Sequence, residues 1–212
     1  MYHCCNILKK EASWKLRATK PKNAVFIVEN QETIQLLADF TRAEIIRLLN
    51  RHSMTEKQLS DELGITKAAV GYHLHLLLKA GLIEISRLEA EEHGIIQKYY
   101  APVAAMFIID TDNIPKDVKR FFIQTQIEHL RGMFIVFRLY QHISEVSSEK
   151  LEKLASALLK QLKEVAQKHL NDESPKDPES FRVKIYSEAV AKLTEQKEWR
   201  SLFENKRKVK KR

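Results

Sequence analysis

Lys67, Ala68, Gly71, Tyr72 and His75 are spaced so that in a helix they lie away from Val70, Leu74 and Leu77, which recur at the four-and-three interval of one apolar face. The chemistry open to that outer side is recognition rather than bond making. Small Ala68 and Gly71 let a helix backbone approach a groove floor. An alanine methyl can meet a thymine methyl, and Thr66 and Lys67 reach phosphates or base edges. Arg51, Thr55, Gln58, Arg87 and Lys98 are further side chains of types that hold phosphates. Without its neighbours, the same side would read as a solvated helix face.

The neighbours supply a frame. Thr55 followed three residues later by Gln58 is a capping box, so a short helix starts at Glu56 with Leu59 and Leu63 on its buried face. Gly64 can take the left-handed conformation that ends a helix, Ile65 plugs the turn, Thr66 caps the second helix and Gly81 stops it. Upstream, Asn30 opens a helix carrying Ile34, Leu36 and Leu37. Thr41 with Glu44 reads as another capping box, before Ile45, Ile46, Leu48 and Leu49. Downstream, Leu82, Ile83 and Ile85 lead to Arg87, Glu89 to Gly94 turn, and Ile95, Ile96, Tyr99 and Tyr100 return as a hairpin. Helix, helix, turn, helix and hairpin make a winged helix-turn-helix.

Thr41-Arg42-Ala43-Glu44, the run MTEKQLSDELG, the AGLIE after the second helix and the KYY closing the hairpin resemble the ArsR-type winged-helix transcription regulators, over roughly residues 28 to 110. Among these the sequence looks closest to archaeal members with a long helical C-terminal half. The resemblance implies a dimer placing its recognition helices in successive major grooves of a near-palindromic duplex. The expected groove contacts are Lys67, Ala68, Gly71, Tyr72 and His75. The expected phosphate and wing contacts are Arg51, Thr55, Gln58, Thr66, Arg87 and Lys98.

Charge is unevenly spread. The chain carries a formal +8 with a pI near 9.4, which suits a nucleic acid or an anionic surface. Residues 30 to 100 nevertheless hold eight Lys and Arg against ten Asp and Glu. Glu89, Glu91 and Glu92 near the hairpin tip would repel phosphates. The basic excess sits in the first thirty residues and in the closing KRKVKKR, where arms over phosphates and solvated tails are both open readings.

A metal site is not expected, nor any other cofactor. Where the family's best-known metal site has a cysteine-containing motif, this chain reads SMTEKQ over Ser53 to Gln58. A second family site has an Asp-x-His and a His-x-x-Glu on a late helix. Here Ile127 stands two before His129, and His142 and Glu145 follow at a spacing that turns them about 140° from the required face. Cys4 and Cys5 are adjacent and build neither a disulfide framework nor a spaced zinc knuckle. With no phosphate-cradling glycine loop, no nucleophile elbow and no His-Glu-x-x-His, no enzymatic activity is expected.

The expected class is mainly α with a small β-hairpin wing. Residues 1–29 are a basic N-terminal arm and lead-in strand, 30–110 the winged helix-turn-helix domain, 111–205 a helical dimerisation or effector region, and 206–212 a basic tail. A long helix from Pro115 to about Ile143 is apolar nearly all round near Met133 to Phe137 and must be covered on more than one side. Leu151, Ala155, Leu158, Leu162, Val165 and His169 form a seam that either packs within the chain or joins a dimer. No apolar run spans a bilayer and no signal core opens the chain, so no membrane partner and a cytoplasmic location are expected. The sequence points to a homodimeric promoter-binding regulator, a repressor more readily than an activator, with no effector named. Alternatives are a protein-interaction winged helix, or a small-molecule sensor using Phe121 to Tyr140.

Overall fold

The computed structural model describes residues 21–90, 96–140, 143 and 145–209, with side chains described as far as residue 203. The N-terminal arm, both cysteines, the hairpin tip at 91–95, His142 and the end of the basic tail lie outside the described residues.

Each of the first four helices begins at a side chain that accepts from its own first turn, satisfying an otherwise orphaned amide. Helix α1 (Gln31–Leu37) is capped by Asn30, whose Oδ1 accepts from the Thr33 amide at 3.0 Å. Helix α2 (Phe40–Leu49) is capped by Asp39, accepting from the Arg42 amide at 2.9 Å. Thr41 therefore lies inside the first turn rather than at the cap, and Glu44 pairs with Arg47 instead of closing a box. The preceding carboxylate is the better acceptor at the positive end of the helix. Helix α3 (Glu56–Leu63) has its full capping box: the Gln58 amide donates to Thr55 Oγ1 at 3.2 Å, and the Thr55 amide donates to Gln58 Oε1 at 2.9 Å. Gly64, at φ 66°, ends it, because this left-handed backbone is strained for a residue with a Cβ. Helix α4 (Lys67–Lys79) is capped by Thr66, which accepts from the Ala69 amide at 3.2 Å.

Among the described residues the strands are β1 (Asn23–Val28), β2 (Met54–Thr55), β3 (Ile83–Ala90), β4 (Ile96–Pro102) and β5 (Ala104–Ile109). Strands β2, β4 and β3 form one sheet in that order, and β1 pairs with β5 in another. The β3–β4 hairpin runs antiparallel from Ile83 opposite Pro102 to Ala90 opposite Ile96, with a bulge between Ile85 and Arg87. Strand β2 adds Met54 opposite Tyr100 and Thr55 opposite Tyr99.

The chain divides into two units, each built from separate stretches. The first takes in Asp39–Met106, the described part of Met1–Phe26, and Asp172–Pro178; the second takes in Ile27–Ala38, Phe107–Asn171 and the segment from Glu179 onward. The boundary at Met106 and Phe107 falls inside β5, a few residues ahead of the expected boundary between residues 110 and 111. Helix α1 clusters with the helical unit rather than with the winged one. Within that helical unit Gln35 Nε2 donates to Asp117 at 3.1 Å, and the Asp110 amide donates to the Val28 carbonyl at 2.9 Å. In the winged unit the Ala24 amide donates to the Asp172 carbonyl at 3.3 Å.

The winged unit is filled by Ile45, Leu49, Leu59, Val70, Leu74, Leu77 and Leu82, each essentially excluded from solvent. Burial at about 1.5–3 kcal/mol per large aliphatic side chain makes this cluster the main force holding α4 in place. Leu63, expected beside Leu59, is only half-buried.

The helical unit contains α5 (Lys116–Leu139), α6 (Ser148–Ala166), a 3-10 turn at Gln167–His169, α7 (Pro178–Thr194) and α8 (Lys197–Val209). Helix α7 opens on Pro178, whose fixed φ and missing amide suit the first helical position. Helices α7 and α8 are separated by the polar residues Glu195 and Gln196, between buried Leu193 and Trp199. Leu151, Ala155, Leu158, Leu162 and Val165 are buried within this one chain, so that seam is internal core. Phe134 and Trp199 stack with centroids 5.2 Å apart.

Candidate nucleic-acid interface

With Val70, Leu74 and Leu77 buried, the periodicity of α4 dictates what remains outside. Lys67, Ala68, Tyr72, His75 and Lys79 are exposed, and 68, 72, 75 and 79 follow one another by four, three and four along a single stripe. Tyr72 is 61% exposed, and its described ring contact is edge-on to the adjacent His73 at 5.5 Å. An aromatic held this far out of the core buries little in the chain itself, and it supplies a flat, rigid surface with a terminal hydroxyl.

The N-terminus of α4 carries a local contradiction. Its first turn contains no acidic residue and begins with Lys67, a cation at the positive end of the helix. That arrangement costs stability unless an anion sits there. Thr66 Oγ1 accepts from the Ala69 amide and keeps its own proton free to donate outward. Capping hydroxyl, free amides and Lys67 together form an anion-favouring corner at the head of the stripe.

Gly71 stands beside that stripe but is half-buried. A Cβ built there would lie 2.9 Å from Glu56 Oε1, so the glycine makes room for α3 instead of for a groove floor. The same is true of Thr55 in another sense. It is 6% exposed, paired in β2 and spent on the α3 cap, which removes it from the phosphate set. Its neighbour Gln58 is exposed and uses only its Oε1 in the cap, leaving the Nε2 donors outward.

On the wing, Arg87 lies across the Tyr99 ring, 3.7 Å from its centroid, with Nη1 3.0 Å from Glu89 Oε1. Burial raises the Tyr99 hydroxyl pKa, and hydrogen bonding to Glu89 raises it further, so the phenol stays neutral. Arg87 thus braces the hairpin, and its expected role on a phosphate is withdrawn. Lys98 is exposed opposite Leu88, and Arg51 is exposed beyond α2. Lys79 escaped the sequence reading although its position follows from His75 by one more interval of four.

These elements define a winged helix-turn-helix whose second helix presents an exposed polar and aromatic stripe. Residues 39–84, which span α2 through the start of β3, match the family described as bacterial regulatory protein, arsR family. No curated protein matches the chain. Among solved structures, reduced HlyU from Vibrio cholerae is 18% identical, covering 52% of this chain and 90% of that one with a TM-score of 0.28. The homodimeric winged helix-turn-helix DNA-binding domain of a possible ArsR-family regulator from Mycobacterium bovis is 17% identical, covering 61% of this chain and 86% of that one with a TM-score of 0.28. ZitR from Lactococcus lactis is 17% identical, covering 76% of this chain and 98% of that one with a TM-score of 0.29. Likeness at this level carries no inference about this chain.

Among the described residues no helix is long and apolar enough to cross a membrane. His129 Nδ1 lies 3.3 Å from Gln126 Oε1, and its ring meets Tyr186 edge-on at 5.6 Å.

Proposed function

We propose that this protein is a transcription regulator that binds promoter DNA as a homodimer and represses by occupying it. The observation that carries the reading is the α4 stripe, Ala68, Tyr72, His75 and Lys79, headed by Lys67 and Thr66 at the positive helix terminus. It combines base-edge chemistry along the stripe with phosphate chemistry at its head. Arg51, Gln58 and Lys98 are proposed phosphate contacts around it. The match of residues 39–84 to a family of regulatory proteins supports the same reading, as does the basic excess of the chain.

The homodimer is assigned to the end of α5, where Ile135, Val136, Leu139 and Tyr140 stand exposed within six residues. Four large apolar side chains in so short a stretch exceed the scattered singles of an ordinary surface. A second copy covers them symmetrically in an isologous contact. Two α4 helices related by such an axis would read half-sites about 10–10.5 base pairs apart, centre to centre.

One observation favours a second reading. Leu88 and Ile96 are 60% and 61% exposed on the wing, which suits a protein partner better than a phosphate backbone. Nuclease footprinting of the full chain on duplex from its own upstream region decides between them. Two protected half-sites at helical spacing support the regulator. Uniform protection without half-sites, lost on adding salt, would leave the winged unit as a protein-binding module.

A further inference from the structure

The helical unit holds a groove of about 620 Å3 between the outer face of α5 and the first turns of α6. Its volume is in the range of small-molecule sites. Its floor is aliphatic: Ile123, Ile127 and Leu151 line it, and the latter two are almost wholly buried. At the end nearest the start of α5 the rim carries Lys116, Lys119 and Arg120, all exposed and, among the described residues, without an ion-pair partner. Asp117, the acid between them, is engaged with Gln35. At the other end the charges cancel, since Arg131 is held 3.0 Å from Glu128 and Glu152 stands on the rim.

The groove is thus polarised. Three cations against the single carboxylate of Asp117 sit at one end, a largely buried aliphatic floor follows, and a neutral to acidic end closes it. Arg120 and Ile127 are seven residues apart on α5, about 10 Å along the helix axis at 1.5 Å per residue. We propose that this groove binds an amphipathic monoanion, a carboxylate at one end of an unbranched apolar body about 10 Å long. The carboxylate meets Lys119 and Arg120, the latter able to bind it bidentately. The apolar body displaces water from Ile123, Ile127 and Leu151. A bare anion gains nothing from the floor, and a long polyanion meets Glu152 at the far end. The site lies wholly within the helical unit and does not depend on the winged unit's binding DNA.

Calorimetric titration of the full chain with decanoate tests the assignment, beside decyltrimethylammonium, which keeps the tail and reverses the charge, and inorganic phosphate, which keeps a charge and drops the tail. Saturable one-to-one decanoate binding is expected, with at least tenfold weaker binding of the other two probes. Lys119→Glu combined with Arg120→Glu should weaken decanoate at least tenfold. Because both residues are exposed, the thermal midpoint should hold. The milder Lys116→Gln with Lys119→Gln should weaken decanoate about threefold and covers the case in which charge reversal unfolds the unit. Equal affinity for the two decyl probes, phosphate binding as tight as decanoate, displacement of decanoate by a short duplex, variants that bind like wild type, or no saturable binding would each overturn the proposal.

Discussion

Gly71→Ala separates the two roles that a glycine on α4 can play. An alanine is about 1 kcal/mol better than glycine inside a helix, through the backbone entropy it removes from the unfolded chain. The added Cβ would stand 2.9 Å from Glu56 Oε1 and 3.4 Å from Glu56 Cδ. Both atoms belong to the far end of a flexible, half-exposed side chain, so the carboxylate can swing aside. Moving it away from the first turn of α3 forfeits at most part of a helix-dipole interaction of about 0.3–1 kcal/mol. The net expectation is a gain of about 0.5 kcal/mol, read as a rise of about 2–4 °C in the thermal midpoint of the winged unit. Affinity for an operator duplex should stay within about twofold, because the new methyl meets α3 instead of the groove. Differential scanning calorimetry and a duplex titration on the same preparation give both numbers. A loss of more than about 1 kcal/mol would show that Glu56 cannot yield. A tenfold loss of duplex affinity at unchanged stability would show that Gly71 does approach the DNA.

Thr55→Ala should lower the stability of the winged unit by about 1–2 kcal/mol in urea unfolding, since the α3 cap is lost in a buried setting, with no change in the salt dependence of duplex binding. In the helical unit, burial raises the Asp110 carboxyl pKa, but hydrogen bonds from Lys163 and the Asp112 amide outweigh it, and the net pKa lies below the ordinary carboxylate value. A depressed carboxylate contributes stability above its unfolded pKa and loses it as pH falls through the folded one. Hydrogen bonds to Asp110 and Asp112 raise Lys163, so its contribution is present below the ordinary lysine value and disappears as pH rises through the raised pKa. Lys163→Met should therefore flatten the stability profile of this unit below about pH 4 and again above about pH 10.5, as urea midpoints across that range would show. Leu139→Glu changes a side chain that is 76% exposed, so it should alter stability by no more than about 0.5 kcal/mol. In sedimentation it should shift the protein from dimer to monomer.

The winged frame was legible because its punctuation is chemical. Thr55, Gln58, Gly64, Thr66 and Gly81 each do locally what their residue types do best, and the four-and-three apolar spacing placed Val70, Leu74 and Leu77 inward. The cap of α2 was misplaced by two residues because Thr41 and Glu44 match the box pattern while Asp39, a stronger acceptor, stands just upstream. Strand β2 is two residues long and carries no periodicity, so nothing local revealed that Thr55 would pair with β4 and lose its access to solvent. Arg87 looked free for a phosphate because the Tyr99 ring meets it only across the hairpin register, although Glu89 stands two residues on along the same strand. The grouping of Ile27–Ala38 with the helical unit rests on contacts more than eighty residues apart, such as Gln35 with Asp117, which no window on the sequence can see. Ala68, Tyr72 and His75 were expected on the outer face of α4, and there they are exposed. The expectation stopped one interval short of Lys79.

The central claim is that α4 reads sequence, and a titration of duplex from the protein's own upstream region against a scrambled duplex tests it most directly. The comparison is made at two salt concentrations with wild type and Tyr72→Ala. Wild type should prefer its own region by at least ~10³, and Tyr72→Ala should lose ~1–3 kcal/mol of that preference without losing stability. Equal binding of both duplexes by both proteins, vanishing with salt, would contradict the claim and leave only basic segments touching DNA.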